Sequence, residues 1–315
     1  MTLVGIILFG FTVAIIVWKY GTAKRAYPFP MYGWIGAFGL LISEALMFAG
    51  VEPIATYFTA LAWTWYILLA DAAVYSLRGR SLLRTYPAEF TWIAIWSIPL
   101  WLIFEAYNLR LKNWIYVGVP ENWFAQNLGY AWAFATIWPG IFETAALIRA
   151  ITRGERTERP VPPRRDRLAS KGPLWISAIA GAIMVALPPV LPSAIRPYLF
   201  GFVWLGFIFL FEPINRSIHA DSLWGDFENG DRSRLKALLL AGTVCGIFWE
   251  FWNYWARARW VYVFPVFQQW KMFAMPLPGY LGFPPFALEC FAMFAFVAWL
   301  LDKVGVRFRY EALDF

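Results

Sequence analysis

The sequence predicts an all-α integral membrane protein of about nine transmembrane helices, and three observations carry this prediction. The 315 residues are 60% hydrophobic and only 15% charged, whereas soluble domains contain about 25% charged residues. Apolar runs of about twenty residues, the length that crosses a bilayer, recur along the chain. The lysines and arginines are also concentrated on one side of the bilayer, as the positive-inside rule requires.

Nine apolar runs are long enough to be spans. They are 3–18, 31–50, 54–77, 89–108, 124–148, 173–192, 197–215, 236–255 and 280–301. The first run has no basic segment before it and is followed by Lys19, Lys24 and Arg25. This order favours an uncleaved transmembrane helix over a secretory signal peptide.

The basic residues predict the orientation. With nine spans, 21 of the 27 lysines and arginines fall on one side, leaving 6 on the other. The richer side is predicted to be cytoplasmic, with the N-terminus outside and the C-terminus inside. The longest basic loop is a Pro-containing linker, which we interpret as solvated and attracted to anionic lipid headgroups. The net charge of +7 therefore requires no nucleic-acid partner.

An internal duplication with a period of roughly 145 residues relates the two halves of the chain. Each half contains an aromatic-Glu-x-x-Asn segment at the end of a span, then Trp-x-Tyr, then a proline four residues before a glutamate in the next span. The matched pairs are Asp71 with Glu212, Glu105 with Glu250, Asn108 with Asn253, Trp114 with Trp260, Tyr116 with Tyr262 and Glu143 with Glu289. Of these pairs, Asp71 with Glu212 is matched only by its place near the end of a span.

Spans two to five therefore correspond to spans six to nine. Both quartets begin on the cytoplasmic side, so we expect parallel repeats related by a pseudo-twofold axis along the membrane normal. The predicted organisation is an N-terminal transmembrane helix (1–30), a first four-helix repeat (31–150), a basic cytoplasmic linker (151–172), a second four-helix repeat (173–302) and a cytoplasmic tail (303–315).

Seven carboxylates are predicted inside spans, and six of them belong to the repeat; the seventh is Glu44. An Asp at mid-span costs at least ~2.5 kcal/mol, so each acid requires a cavity, a partner or a proton. Apolar surroundings keep a carboxyl group protonated, which is the state of a general acid. The candidate catalytic residues are Glu143, Glu289, Glu105, Glu250, Asn108, Asn253, Asp71 and Glu212. The alternative is that these acids are neutral groups that bond a neighbouring helix or cap a helix end.

Four aromatic residues that follow the acids are candidates for binding substrate: Trp114, Trp260, Tyr116 and Tyr262. Aromatic faces stabilise developing positive charge, although interfacial anchoring explains the same residues equally well. One histidine and two cysteines cannot provide bis-His haem ligation, a zinc site or a disulfide framework. We therefore predict no metal and no cofactor.

Together these segments resemble the membrane-embedded lycopene cyclase superfamily, whose pattern is Trp-Asp, then Trp-x-Phe, then Pro-x-Glu-Glu. In addition, Gly118-Val119-Pro120-Glu121-Asn122-Trp123 is similar to a stretch of the related carotenoid hydratases. The resemblance covers spans four, five, eight and nine. Glu105 and Glu250 stand where the family has Asp, and a single glutamate stands where it has a pair.

The resemblance implies a long apolar isoprenoid or carotenoid that a carboxylic acid protonates at a double bond, followed by ring closure or capture by water. It implies that Glu143 and Glu289 donate the proton and that Asn108 and Asn253 orient Glu105 and Glu250. The residues alone leave two other functions open. One is a proton-coupled transporter, and the other is a non-catalytic subunit that binds lipid, pigment or quinone in a larger complex. The oligomeric state is not predicted.

Overall fold

The computed structural model describes residues 1–153, 171–306 and 308–313. The described residues are 74% helical, and eight of their helical segments are long and apolar enough to cross a membrane. This agrees with the expected all-α, multi-pass membrane protein. Most of the predicted linker 151–172, and residues 307, 314 and 315 of the predicted tail, lie outside the described residues.

Twelve α-helices are found in the described part of the chain. They are α1 (Thr2–Thr22), α2 (Met31–Phe48), α3 (Phe58–Arg78), α4 (Leu82–Thr85), α5 (Pro87–Leu111), α6 (Trp123–Ala135), α7 (Ile137–Arg153), α8 (Lys171–Val190), α9 (Phe200–Ser217), α10 (Leu223–Glu228), α11 (Ser233–Trp255) and α12 (Phe283–Lys303). Helices α6 and α7 adjoin at Thr136 and together form one span-length segment.

Helix α9 coincides with the predicted seventh span but is not among the eight helices that are apolar enough. Its last turns carry Glu212, Asn215 and Arg216, which lower its mean hydropathy. The expected count of nine therefore depends on this one helix.

The helices divide into a peripheral and a central set. In the span of α1 only 6% of the residues are buried by the rest of the chain, whereas 78% are buried in the span formed by α6 and α7. Helices α3, α11 and α12 are also mostly buried. The largest fully buried side chains are Trp63, Trp138, Trp252, Phe58, Phe104, Phe142, Phe291 and Phe294. The core thus lies among α3, α7, α11 and α12, while α1, α2 and α8 present apolar side chains outward.

Helix packing in the first half is matched in the second half. Helix α2 packs on α3 and α8 packs on α9; α3 packs on α7 and α9 packs on α12. Between the halves, α7 packs on α11 and α12 packs on α5. Helix α1 lies against α11, where the ring of Phe9 stacks on Phe251 with centroids 3.7 Å apart.

Two short strands that the sequence analysis did not predict join the halves. Strands β1 (Trp114–Val117) and β2 (Arg259–Tyr262) pair antiparallel, with Trp114 opposite Tyr262 and Tyr116 opposite Trp260. Alternate residues of a strand point to one face, so the two Trp-x-Tyr segments share a face of this ribbon. Gly118 follows β1 with φ 68°, and a Cβ there would lie 2.2 Å from the Arg257 carbonyl oxygen, so this close crossing requires glycine.

A second hairpin follows β2. Strands β3 (Lys271–Met272) and β4 (Met275–Pro276) pair antiparallel and lead into a short 3₁₀ segment, Leu277–Gly282, before α12. The side chains of Met272, Phe273 and Met275 are buried. The first half has no such hairpin between β1 and α6, so the two halves differ at this end of the bundle.

Candidate functional site

A cavity of about 140 Å³ lies at the β1–β2 end of the helix bundle. Thirteen of its 23 lining residues are aromatic. The aromatic cavity, as we call it, is lined by Thr56, Tyr57, Thr59, Ala60, Trp63, Trp101, Trp114, Tyr116, Val119, Pro120, Gln126, Gly129, Tyr130, Ala133, Phe134, Ile137, Trp204, Trp249, Ala258, Trp260, Tyr262, Phe283 and Phe286. Such an enclosure favours an apolar ligand.

The structure brings the four predicted aromatic residues together in this wall. Trp114, Tyr116, Trp260 and Tyr262 all line the aromatic cavity, and the pairing of β1 with β2 positions them. None of the six repeat-related carboxylates is among the lining residues. The wall is therefore shared by both halves, and the acids lie behind it or elsewhere.

Glu105 lies directly behind the wall. Its Oε1 atom accepts hydrogen bonds from Tyr116 Oη at 2.5 Å, from Trp101 Nε1 at 2.9 Å and from Trp114 Nε1 at 3.3 Å. All three donors line the aromatic cavity. The carboxylate is half-buried and is separated from the cavity by one layer of side chains.

Glu250 occupies the corresponding place in the second half. Its Oε1 atom accepts a hydrogen bond of 3.1 Å from Tyr262 Oη, and Trp260 Nε1 donates to Tyr262 Oη at 3.0 Å. Glu250 is 0% exposed, and the backbone of Ala274 and Met275 lies beside its carboxylate. The β3–β4 hairpin therefore seals this acid, whereas Glu105 has no equivalent cover.

The phenol groups of Tyr116 and Tyr262 are neutral donors at ordinary pH. Burial, and then the adjacent Glu105, hold the pKa of Tyr116 well above its usual value. Burial and Glu250 do the same to the pKa of Tyr262. Each tyrosine therefore keeps its hydrogen and can pass it on only if another proton replaces it.

Asn108 and Asn253 fix the strands to the helices. Asn253 Nδ2 donates to Trp260 O at 2.9 Å, and Trp260 N donates to Asn253 Oδ1 at 2.9 Å. Asn108 makes the same pair with Trp114, at 2.9 and 3.1 Å. The amides bond the strand backbone and not the carboxylates, so they orient Glu105 and Glu250 only through the aromatic residues that they position.

Glu143 and Glu289 lie deeper in the bundle. Both are 0% exposed, and neither receives a hydrogen bond from a donor among the described residues. The carboxyl group of Glu143 lies close to that of Asp71. Neither Glu143 nor Glu289 lines the aromatic cavity.

Asp71 and Glu212 cap the short helices that follow their own helices. Asp71 Oδ1 accepts from Leu83 N at 2.7 Å, and Glu212 Oε2 accepts from Trp224 N at 2.9 Å. In both halves the bonded amide is twelve residues after the acid and lies in the first turn of α4 or α10, where backbone N–H groups lack helical partners. Asp71 and Glu212 therefore do what the alternative to catalysis predicted, which is to cap the end of a helix.

Sequence reasoning did not select the inner wall of the cavity, which includes Trp63, Trp204, Trp249 and Phe286. One signal could have found two of them, because the offset that relates Asp71 to Glu212 also relates Trp63 to Trp204. Among the described residues, no group of three or more His, Cys, Asp or Glu side chains is arranged to hold a metal ion.

Comparison with protein-family models, curated proteins and solved structures finds no match for this chain.

Proposed function

We propose that the protein is a membrane enzyme that binds the end group of a long apolar isoprenoid or carotenoid in the aromatic cavity and protonates a double bond there. One observation carries the proposal. The two halves each contribute a tyrosine to the same apolar wall, and each tyrosine is hydrogen-bonded to a glutamate behind it. Two hydroxyl groups at the edge of an aromatic chamber, each with an acid behind it, support this proposal.

The cavity volume limits what enters. A cavity of about 150 Å³ holds one benzene molecule, and the aromatic cavity measures about 140 Å³. It therefore suits one six-membered ring, or the end of a chain folded to that size, and not a whole carotenoid. The remainder of a long isoprenoid would extend through the cavity opening.

The wall suits a cationic intermediate. Protonation of an alkene leaves a carbocation, and aromatic faces attract positive charge. Three aromatic rings follow one another along the inner wall, in the order Trp63, Trp249 and Phe286. The ring centroid of Trp249 is 4.8 Å from that of Trp63 and 5.9 Å from that of Phe286. These faces would stabilise the cation until it loses a proton, closes a ring or captures water.

The proton path runs through tyrosine. When Glu105 is protonated, the bond between it and Tyr116 reverses direction, so that the carboxyl group donates and the tyrosine hydrogen turns toward the alkene. The carboxyl hydrogen then passes to Tyr116 Oη while the tyrosine hydrogen passes to the alkene carbon. Tyr116 ends neutral, Glu105 ends ionised and the substrate gains one proton, so the step balances. Glu250 and Tyr262 form the equivalent pair, but the β3–β4 hairpin encloses Glu250, so we assign the donor role to Glu105. This assignment moves that role away from Glu143 and Glu289.

A second candidate is a non-catalytic subunit that binds an apolar molecule. One observation favours it: no carboxylate is among the residues that line the aromatic cavity. The enzyme and the binding subunit would bind the same class of ligand. They are distinguished by whether the bound ligand is chemically converted.

Expression in cells that accumulate lycopene tests the proposal. We expect wild-type protein to change the pigment profile, Glu105→Gln to abolish the change, and Glu289→Gln to preserve it. An unchanged profile with pigment co-purifying in stoichiometric amount identifies a binding subunit. An unchanged profile without bound pigment contradicts carotenoid chemistry.

We also propose nine spans, arranged as the N-terminal helix and two parallel four-helix repeats. Support comes from the matched caps of α4 and α10, the matched asparagine bonds, and the antiparallel pairing of equivalent strands, which a twofold axis between Ile115 and Val261 would generate. The bias of basic residues supports an external N-terminus and a cytoplasmic C-terminus.

A further inference from the structure

Glu143 is an acid of the protein interior that lacks a hydrogen-bond donor. The side chain is fully buried, and both of its carboxyl oxygens are without a partner among the described residues. Glu143 follows Ile137 of the cavity wall by six residues of α7, or about 9 Å along the helix, and does not line the aromatic cavity. The proposed proton transfer from Glu105 does not use it.

Asp71 of α3 lies close to Glu143 and accepts hydrogen bonds at both of its oxygens. The Oδ2 atom accepts from Tyr32 Oη at 2.5 Å and from Ser81 Oγ at 2.9 Å, and Oδ1 accepts from Leu83 N at 2.7 Å. An ionised carboxylate only accepts hydrogen bonds. Three donors on two oxygens therefore indicate that Asp71 carries a negative charge.

The charge of Asp71 decides the state of Glu143. A buried charge without a hydrogen-bonding partner is costly, and a like charge close by adds to the cost. Both conditions apply to an ionised Glu143. Tyr32 and Tyr66 also interact with Glu143, but a phenol supplies no positive charge. A proton on Glu143 removes the conflict.

Tyr32 connects Asp71 to the surface of the bundle. It is the second residue of α2 and is partly exposed. Asp71 follows Trp63 of the cavity wall by eight residues of α3, about 12 Å, so this end of the bundle is the one opposite the cavity. A hydroxyl group both donates and accepts, so a hydrogen that Tyr32 gives to Asp71 can be replaced from water.

The repeat counterpart of Glu143, Glu289, lacks this route. Glu289 is also fully buried and without a donor among the described residues, but Glu212 is not among the groups that act on it. The offset that relates Asp71 to Glu212 places Pro173, which has no hydroxyl, where the first half has Tyr32.

Two titratable groups near Glu289 do not supply a route. Cys290 interacts with Glu289 and is itself fully buried. Tyr107 also interacts with Glu289, but its hydroxyl donates to Val185 O at 2.8 Å. Neither group joins Glu289 to a second acid, so the two equivalent glutamates differ in their connection to the surface.

We propose that Glu143 is a proton-binding site in the membrane interior and that it exchanges its proton with water through Asp71 and Tyr32. To release the proton, Glu143 passes it to ionised Asp71, and Asp71 passes it to Tyr32 Oη while Tyr32 gives its own hydrogen to water. One proton leaves Glu143 and one appears in water, so the step balances, and the same route runs in reverse. Intramembrane acids in such chains are typical of proton relays.

Infrared spectroscopy of the full-length protein in lipid bilayers tests this inference. The C=O stretching band of a protonated carboxyl group shifts when deuterium replaces its hydrogen. Subtracting the spectrum of Glu143→Gln, or that of Glu289→Gln, assigns a band to each acid. After transfer to heavy water the Glu143 band should shift at least about tenfold faster than the Glu289 band, because exchange at Glu289 must wait for the bundle to open.

Tyr32→Phe should slow exchange at Glu143 toward the rate of Glu289, because it removes the hydroxyl at the surface. Ser81 and Leu83 still donate to Asp71 in this variant, and unchanged exchange at Glu289 reports an intact bundle. The matched control is Tyr66→Phe. Its hydroxyl bonds the Thr144 hydroxyl at 2.8 Å in the interior, away from the route, so exchange at Glu143 should stay fast.

Three results would overturn the proposal. Absence of a Glu143 band would show that this acid is ionised. Equal exchange rates at Glu143 and Glu289 would show that the first half has no special route. Exchange that is unchanged in Tyr32→Phe, or slowed equally in Tyr66→Phe, would show that protons do not pass through Tyr32. These measurements involve no isoprenoid, so they succeed or fail independently of the proposed function.

Discussion

Tyr116 of β1 donates a hydrogen bond of 2.5 Å to Glu105 of α5. The tyrosine lines the aromatic cavity and the glutamate does not. The contact therefore connects an intramembrane acid to a chamber that the acid does not reach, and the equivalent contact of Tyr262 with Glu250 repeats it in the second half.

Removing the Tyr116 hydroxyl should interrupt this connection. Tyr116→Phe leaves Glu105 its two indole donors but no group that transfers a proton, so conversion of the isoprenoid should fall by about 10²–10⁴, the usual contribution of general acid catalysis. Pigment analysis of membranes measures the rate. Tyr116→Phe combined with Glu105→Gln should be no slower than either alone, since groups that act as one unit are non-additive. Additive losses would show that the two residues act independently.

The two glutamates should differ in chemical accessibility. Glu105 is half-buried, whereas Glu250 is 0% exposed beside the β3–β4 hairpin. Dicyclohexylcarbodiimide modifies protonated carboxyl groups that it can reach in apolar surroundings. Peptide mass spectrometry should therefore find modified Glu105 and unmodified Glu250, and Glu105→Gln should remove the label. Equal modification of both acids would show that the hairpin does not seal the second half.

The sequence predicted the membrane class, the helices and the residues of the β1–β2 wall, because hydropathy and the duplicated motif depend on local pattern. It did not predict the strands, since four-residue segments carry little periodic signal. The sequence also could not show that Glu143 lies outside the cavity. The spacing of a motif does not reveal which helices pack against a given acid. The partner of Glu44 was equally hidden from the sequence. Its Oε1 accepts a hydrogen bond of 3.0 Å from Trp252 Nε1, which is 208 residues away in the chain.

Asn253 should matter more for stability than Asn108. Both amides bond a strand tryptophan in the same way, but Asn253 is 0% exposed and Asn108 is half-buried. Replacing Asn253 by alanine removes an amide that is fully enclosed and leaves its two Trp260 backbone partners unpaired, at a cost of about 1–3 kcal/mol. At the half-buried Asn108, water can replace the amide. In detergent, the Asn253→Ala protein should unfold at a lower temperature than the Asn108→Ala protein. The reverse order would contradict the burial argument.

The ion pair between Arg309 and Glu89 should help to hold the C-terminal segment. Arg309 Nε and Nη2 donate to the two oxygens of Glu89 at 2.7 and 2.8 Å. Ala312, whose N–H donates to the Arg309 carbonyl oxygen at 2.9 Å, is 7% exposed. In an Ala312→Cys protein, a membrane-impermeant maleimide should react slowly, and adding Arg309→Ala should speed the reaction. Lys303→Ala is the control. The native thiols, Cys245 and Cys290, are buried.

The same labelling tests the orientation. In sealed vesicles of known sidedness, the maleimide should reach the Arg309→Ala, Ala312→Cys protein only from the cytoplasmic side, as the positive-inside rule predicts. Labelling from the external side alone would reverse the proposed topology.

Asp226 should make stability depend on pH between about 4 and 6. Burial raises the pKa of this carboxyl from its ordinary 3.8 to about 6, against the opposing effect of Arg234, whose Nε lies 3.3 Å away. Asp221 and Asp231 raise it further, and Arg149 lowers it. Because the folded protein binds this proton more tightly than the unfolded chain, the contribution is complete below about pH 4 and is lost as the pH rises through 6.

The wild-type unfolding temperature should therefore fall from pH 4 to pH 6 relative to that of Asp226→Asn, which mimics the protonated side chain. Glu212 lies close enough to interact with Asp226 and is present in both proteins, so the difference between the two curves isolates the titration of Asp226. The attraction of Arg234 acts on the ionised carboxylate and is already part of the folded-state pKa, so it needs no separate correction. Parallel curves across pH 4–7 would show that this carboxyl titrates alike in the folded and unfolded chains.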